Sequence, residues 1–287
     1  LDAIQDLITR VPTLLCEHYY GVKVAPNNTK QELVDFANWT IAMSTYTFGD
    51  PGDDYRYRRA ALAGSQRVRA LIDRSIAEAK GATGRDDVLA RLVELQKRGA
   101  TGLTDDVIRA YLIGMITGFI PTNTMAAGQT LEVLLRRPDF LARAQAAAVA
   151  GDDDLLKRCV FEAGRFKHIN LGPFRRCEKD YMIAQGTSHK KRIRKGMKLL
   201  ASTQSAMFDG RRVKDPYVFN PDRPASDYML FGYGLHWCVG AFIAEAQITQ
   251  TFKALLVKPG LRPADEKDGR LQRLGQFPAH LWVEFDR

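Results

Sequence analysis

Phe231-Gly232-Tyr233-Gly234-Leu235-His236-Trp237-Cys238-Val239-Gly240 decides how this chain is read. The ten residues hold three glycines, one histidine and one cysteine, and they run directly into Ala241-Phe242-Ile243-Ala244-Glu245-Ala246-Gln247-Ile248. That second stretch reads as a helix. A cysteine at the junction faces unpaired N–H groups and the positive end of the helix dipole, and both favour its thiolate form. The glycines let the backbone turn sharply and come close to a flat ligand. A thiolate on a glycine-rich loop at a helix start is therefore a candidate metal ligand.

Composition sets the frame around that stretch. The chain has 287 residues, 45% of them hydrophobic, which is ample for a core. No apolar run is long enough to span a bilayer, so no membrane span is expected. Cys16, Cys159, Cys177 and Cys238 are scattered without zinc-ligand spacing, which predicts reduced thiols and a cytoplasmic location. The net charge is +9. Its densest cluster, His189-Lys190-Lys191-Arg192-Ile193-Arg194-Lys195 with Lys198 beyond, carries no aromatic interleaving, so nucleic acid is not an expected partner. A solvated loop is the first reading of the cluster, and docking of an acidic protein the second.

Periodicity predicts helices over 1–20, 29–48, 54–80 and 86–98, with a turn at Asp50-Pro51-Gly52-Asp53. Pro12 is expected to kink the first of these, and Thr29 to cap the second. Arg56-Tyr57-Arg58-Arg59 reads first as a solvated helix face, with contact to a carboxylate of a bound ligand as the second reading. From Thr104 to Arg137 the pattern predicts one very long helix, and Thr104-Asp105-Asp106 is a strong start signal. Pro121 lies inside it and cannot donate to Thr117, so a kink is expected there. A helix follows over 155–167, then strands over 175–184 and 192–201, a last helix over 239–257, and a closing turn and strand. No repeat and no domain boundary is visible, and the chain reads as a single domain over 1–287.

Phe231, Gly232, Gly234, His236, Cys238 and Gly240 fill every fixed position of Phe-Gly-x-Gly-x-His-x-Cys-x-Gly. The stretch thereby resembles the haem-binding signature of the cytochrome P-450 (haem-thiolate) superfamily. The resemblance implies a mainly α fold with a small β component, lacking the usual N-terminal part of such domains. It also implies haem b held axially by Cys238 as the metal ligand, with His236 and Arg175 on the propionates and Arg176 as an alternative to Arg175. Glu162-Ala163-Gly164-Arg165 is a weak motif by itself, but it matches a family element that is closed by a third arginine, here Arg223 in Phe219-Asn220-Pro221-Asp222-Arg223-Pro224. This trio is expected to brace the fold rather than to act on substrate.

Family members also cross the haem with a long helix bearing a pattern like Ala/Gly-Gly-x-Asp/Glu-Thr, and Gly118-Phe119-Ile120-Pro121-Thr122 falls on it. The first glycine and the threonine match, Phe119 replaces the second glycine, and Pro121 stands in place of the acid. Proline cannot relay protons, so proton delivery falls to Thr122, Asn123 or water. Phe119, Ile169, Leu171 and Phe277 are the expected substrate-side residues, with core packing the competing reading for Phe277.

The chain begins at Leu1 and is expected to be short at its front relative to the family. Either the domain is reduced, or a partner chain or segment supplies the rest. The resemblance extends to the haem-thiolate domains of fungal fatty-acid dioxygenase fusions, which rearrange hydroperoxides. The expected function is oxidation or rearrangement of an apolar, fatty-acid-like small molecule, driven by peroxide or hydroperoxide. Reductase-fed monooxygenation with an acidic electron donor is the first alternative. A catalytically silent haem-binding subunit completed by a partner is the second.

Overall fold

The computed structural model describes residues 1–49, 53–264 and 269–286. Helix α5 (Asp105–Leu135) organises the rest, since 31 residues at 1.5 Å each span about 46 Å. Thr104 caps it by accepting from the Val107 N–H. Its first half buries Ile108, Leu112, Ile116, Phe119 and Ile120 against α1 (Arg10–His18), α2 (Lys30–Gly49), α3 (Tyr55–Gly81) and α4 (Val88–Lys97). Its second half buries Ala127, Leu131 and Leu134 against α6 (Pro138–Ala150), α7 (Asp153–Phe166) and α9 (Ala241–Leu256). One helix thus belongs to two hydrophobic clusters, and the site lies where they meet.

The helix ends follow from local chemistry. Thr29 and Glu32 form a reciprocal capping box at α2, the hydroxyl accepting from the Glu32 N–H and the carboxylate from the Thr29 N–H, each at 3.2 Å. The expected single helix over 1–20 is instead a π-helical turn, Ala3–Ile8, followed by α1. Pro12 therefore sits in the first turn of α1, where a missing N–H matters least, and not in a helix interior. Helix α6 was not legible as a separate element in the sequence pattern. Pro138 opens it, and Gly151 closes it in the left-handed region at φ 72°. Of the turn expected at residues 50–53, only Asp53 lies within the described residues.

The β content is small, and a single-turn helix, α8 (Thr203–Ala206), follows its first four strands. Strands β1 (Phe174–Arg176) and β4 (Lys198–Leu200) pair antiparallel, as do β2 (Tyr181–Ile183) and β3 (Lys191–Ile193). The two expected long strands are thus four short ones, because the chain turns out of the first pair at Cys177 and re-enters at Gly196. The Cys177 N–H donates to Met197 and the Gly196 N–H to Cys177 across that crossing. Near the C-terminus, β5 (Arg262–Pro263) pairs with β8 (Val283–Glu284) and β6 (Gln272–Leu274) with β7 (Phe277–His280). Among the described residues no helix is long and apolar enough to cross a membrane.

Candidate active site

The Cys238 loop is a tight turn closed by backbone bonds. The Cys238 N–H donates to the Phe231 carbonyl at 2.8 Å, and the Trp237 N–H to Gly234 at 3.0 Å. Gly232 has φ 83°, and a Cβ there would stand 2.8 Å from the His236 carbonyl oxygen, so any other residue would open the loop. Phe231 anchors the turn from below, packing on Phe161 of α7 with ring centroids 5.8 Å apart. Cys238 itself is exposed, three residues before α9 begins.

Around it the apolar side chains point outward. Leu235 and Val239 are 102% and 95% exposed, and Phe242 is 75% exposed. Trp237 meets Phe242 edge to face at 5.4 Å. Water is a poor covering for four such side chains within four residues of one exposed cysteine. A flat apolar macrocycle with a metal at its centre fits this arrangement, because it would cover the exposed apolar side chains and take the thiolate as ligand. His236 is also exposed on this loop, and Arg175 is exposed on β1 with its guanidinium turned to the Phe174 carbonyl at 2.8 Å.

Behind the loop, Glu162, Arg165 and Arg223 form one buried network. The Glu162 carboxylate accepts from Arg165 at 2.7 and 2.9 Å and from Arg223 at 3.0 Å. It also takes the Asn220 N–H at 3.1 Å and the Tyr228 hydroxyl at 2.9 Å. Burial pushes the Tyr228 phenol well above its ordinary value, and the neighbouring carboxylate adds to that shift. Arg223 spends its remaining donors on the carbonyls of Lys214, Asp215 and Val218, each at 2.6 Å. Arg165 is stacked between Phe166 and Phe208, its guanidinium carbon 4.8 and 4.6 Å from their ring centroids.

Tyr228 was not found from sequence, since nothing distinguishes it from other tyrosines until the fold brings it to Glu162. His168 likewise acquires a position only in three dimensions. Its two ring nitrogens lie 2.5 Å from the Asn170 carbonyl and 3.0 Å from the Leu230 carbonyl. It pins the loop after α7 to the segment just ahead of Phe231.

On α5, Gly114, Gly118, Thr122 and Ala126 recur every four residues and are less buried than the residues between them. A Cβ on Gly118 would meet nothing within 4 Å, so the centre of this stripe is an open groove. The helix runs through Pro121 without a break. Two carbonyls beside the proline are taken up by side chains, as the Thr122 hydroxyl donates to Gly118 and the Asn123 amide donates to Phe119 at 2.7 Å. Asn123 faces the core rather than the groove, and its Oδ1 has no partner among the described residues.

Phe119 is buried against Tyr20. Ile169 is half-buried and Leu171 is exposed in the loop that follows α7. Phe277 is 3% exposed in β7, which packs on α5, so the structure places it in the core and not at an open pocket. The arginines after Tyr55 lie on the outer face of α3, where Tyr55, Arg56 and Arg59 border a recess of about 390 Å³. Arg56 pairs there with Asp54 at 2.7 Å.

The family model for cytochrome P-450 matches residues 34–272. The chain belongs to the cytochrome P-450 family. Among curated proteins it is similar to a bifunctional dioxygenase–epoxy alcohol synthase of Fusarium oxysporum, 25% identical over 244 residues, covering 78% of this chain and 19% of that protein. It is also similar to a steroid C26-monooxygenase of Mycolicibacterium smegmatis, 30% identical over 182 residues, covering 63% of this chain and 43% of that protein. Among solved structures, the cytochrome P-450 PksS of the Bacillus subtilis 168 bacillaene polyketide synthase superposes with a TM-score of 0.75 at 20% identity. The overlap covers 100% of this chain and 69% of that one. The chain thus spans less than half the length of both curated relatives. The cytochrome P-450 fold implies a haem on a cysteine thiolate, and the exposed Cys238 beside exposed apolar side chains fits the chemistry of such a group.

Proposed function

We propose that this cytochrome P-450 chain holds haem b on the Cys238 thiolate and oxidises or rearranges an apolar, fatty-acid-like molecule with a peroxide or organic hydroperoxide as oxygen donor. His236 and Arg175 bind the propionates, and Phe231, Gly232 and Gly240 shape the cradle. Glu162, Arg165 and Arg223 keep the loop below the cradle rigid. The haem, when bound, supplies redox chemistry and oxygen-atom transfer at iron.

The observation that carries the choice of oxidant is the buried Pro121 at the centre of α5. No carboxylate stands there to pass protons inward, and the Thr122 hydroxyl is already donated to the Gly118 carbonyl. Delivering protons to dioxygen needs such a relay, whereas a hydroperoxide arrives with its O–O bond already reduced. Thr122 and ordered water are the remaining polar groups for orienting it, since Asn123, the other candidate, is turned into the core. Ile169 and Leu171 provide apolar contacts for the substrate chain, with Phe119 and Phe277 supporting them from the core. The similarity to the dioxygenase–epoxy alcohol synthase favours the same reading.

The test is single-turnover oxidation of a fatty-acid hydroperoxide by the haem-loaded protein without any reductant. Product formation at a rate unchanged by added reductase and NAD(P)H is the expected result. Turnover that depends on reductase would select the alternative, reductase-fed monooxygenation. The similarity to the steroid monooxygenase favours that alternative, as does the exposed basic hairpin around Lys190 and Lys191, which suits an acidic electron donor.

A further inference from the structure

His168 follows the end of α7 and is half-buried. Its Nδ1 lies 2.5 Å from the Asn170 carbonyl oxygen, and its Nε2 lies 3.0 Å from the Leu230 carbonyl oxygen. Both neighbours are carbonyl oxygens, which only accept. A neutral imidazole carries one N–H and one bare lone pair, so it satisfies one carbonyl and sets its lone pair against the other. The imidazolium carries an N–H on each nitrogen and satisfies both. The ring is thus placed for its charged form by donor count and not by a counter-ion, since the one histidine–carboxylate pair among the described residues is His280 with Asp2.

The charged groups of the surrounding elements are engaged with one another. At the end of α7, Arg165 is bound to Glu162 and Lys167 to Glu132 of α5. Arg136 of α5 and Arg273 of β6 approach the same Glu132 at 3.0 and 3.8 Å. Ahead of Leu230, Tyr228 gives its hydroxyl to Glu162, and Asp227 forms no ion pair with His168. Residues 169–173 carry no titratable side chain, nor does α8, whose Gln204 N–H donates to the Leu171 carbonyl. What the ring joins is specific. Asn170 sits between Ile169 and Leu171, and Leu230 precedes Phe231, whose carbonyl takes the Cys238 N–H at 2.8 Å.

We propose that His168, as imidazolium, is a positioning residue that locks the loop bearing Ile169 and Leu171 to the Cys238 loop, so that apolar ligands bind tightly when it is protonated and weakly when it is not. This rests on the reading of Ile169 and Leu171 as substrate contacts. Histidine changes charge between about pH 5 and 8. Above that range the ring can hold one carbonyl only, and the other is left facing a lone pair. The two loops then part, and the loss falls on ligand affinity while Cys238 keeps its place at the start of α9.

The experiment uses the haem-loaded chain with nitrogen-15-labelled histidine, reduced and bound to carbon monoxide for NMR. The sequence has 5 histidines, and His168→Gln assigns the lines of interest. The ligand is 1-dodecanol, which does not titrate in this range, followed through the Soret shift of the oxidised protein. In the parent, both His168 ring nitrogens should carry protons at pH 6 and only one at pH 8.5. Affinity for 1-dodecanol should fall about fivefold or more over the same interval. His168→Gln should bind with the weaker affinity at both pH values, and the exposed His18→Gln control should keep the parent's profile. All variants should keep the parent's carbon monoxide band, which separates the clamp from haem ligation. A neutral His168 ring at pH 6 would overturn the clamp, and so would a His168→Gln defect of the same factor at pH 6 and 8.5. A haem-loaded parent that ignores 1-dodecanol at both pH values would overturn the apolar-substrate reading and the affinity claim with it. A chain that takes up no haem would overturn the haem reading, while the His168 lines of that chain would still decide its protonation.

Discussion

Glu162 accepts the Arg223 guanidinium at 3.0 Å across 61 residues of chain, and both side chains are almost fully buried. The same carboxylate holds Arg165, so one acid is the shared counter-ion of two buried cations. Glu162→Ala removes the only carboxylate bonded to either among the described residues and leaves both charges without that counter-ion. A loss of about 3–5 kcal/mol is expected, read as a fall in the urea midpoint. Glu162→Gln should lose less, because it keeps the shape and one acceptor.

Cys238→Ala should abolish the strongly red-shifted Soret band of the reduced, carbon monoxide-treated protein. Cys238→His should restore haem uptake with a band typical of a neutral ligand. A red-shifted band in the Ala variant would remove Cys238 from the ligand position.

Pro121 leaves the Thr117 carbonyl without the N–H that an ordinary residue would offer four positions on. An interior proline costs about 3 kcal/mol, and the buried ring returns part of that through roughly two methylenes of apolar contact. Pro121→Ala is therefore expected to stabilise the protein by about 1 kcal/mol, measured by urea unfolding. Pro121→Glu in the same background should raise reductase-supported turnover if an acid there completes a proton relay.

Gly128 lies where α5 meets the C-terminal strands. A Cβ at that position would stand 2.9 Å from Pro278 Cγ and 3.0 Å from Ile4 Cδ1. Gly128→Ala should cost about 1–3 kcal/mol through overpacking, seen as a lower thermal midpoint. Gly114→Ala on the same helix meets open space and should be neutral or slightly stabilising.

Alkaline pH should weaken the fold. Burial pushes the Cys159 thiol up to about 11, and it pushes the Cys16 thiol and the Tyr228 phenol up as well. These groups are neutral when protonated, and the unfolded chain loses their protons first. The stability they contribute is complete below the ordinary thiol range, near pH 9, and is lost as pH rises through the folded values. The urea midpoint should fall from pH 9 to 11, and Cys159→Ala should flatten that slope by roughly 1–3 kcal/mol over the window.

The Cys238 loop, the Glu162–Arg165 pair and the long α5 helix were legible because each is written in a short run of residues. Gly232 can be read as an obligatory glycine, and Thr104-Asp105-Asp106 as a helix start, from local sterics and unpaired N–H groups alone. Helix α6 was missed because its alanines have propensity but little amphipathic pattern. The strands between 174 and 200 were drawn too long because single-strand pattern does not reveal where a chain changes partner.

By itself, the sequence determined the mainly α class, the signature loop and the proline within the distal helix, all matters of neighbouring residues. Only the tertiary structure decided that Tyr228 joins Glu162, that His168 ties two loops together, and that Asn123 and Phe277 face the core. Those relations depend on which surfaces of distant segments are buried against one another, and burial is a property of the packed chain that no local pattern encodes.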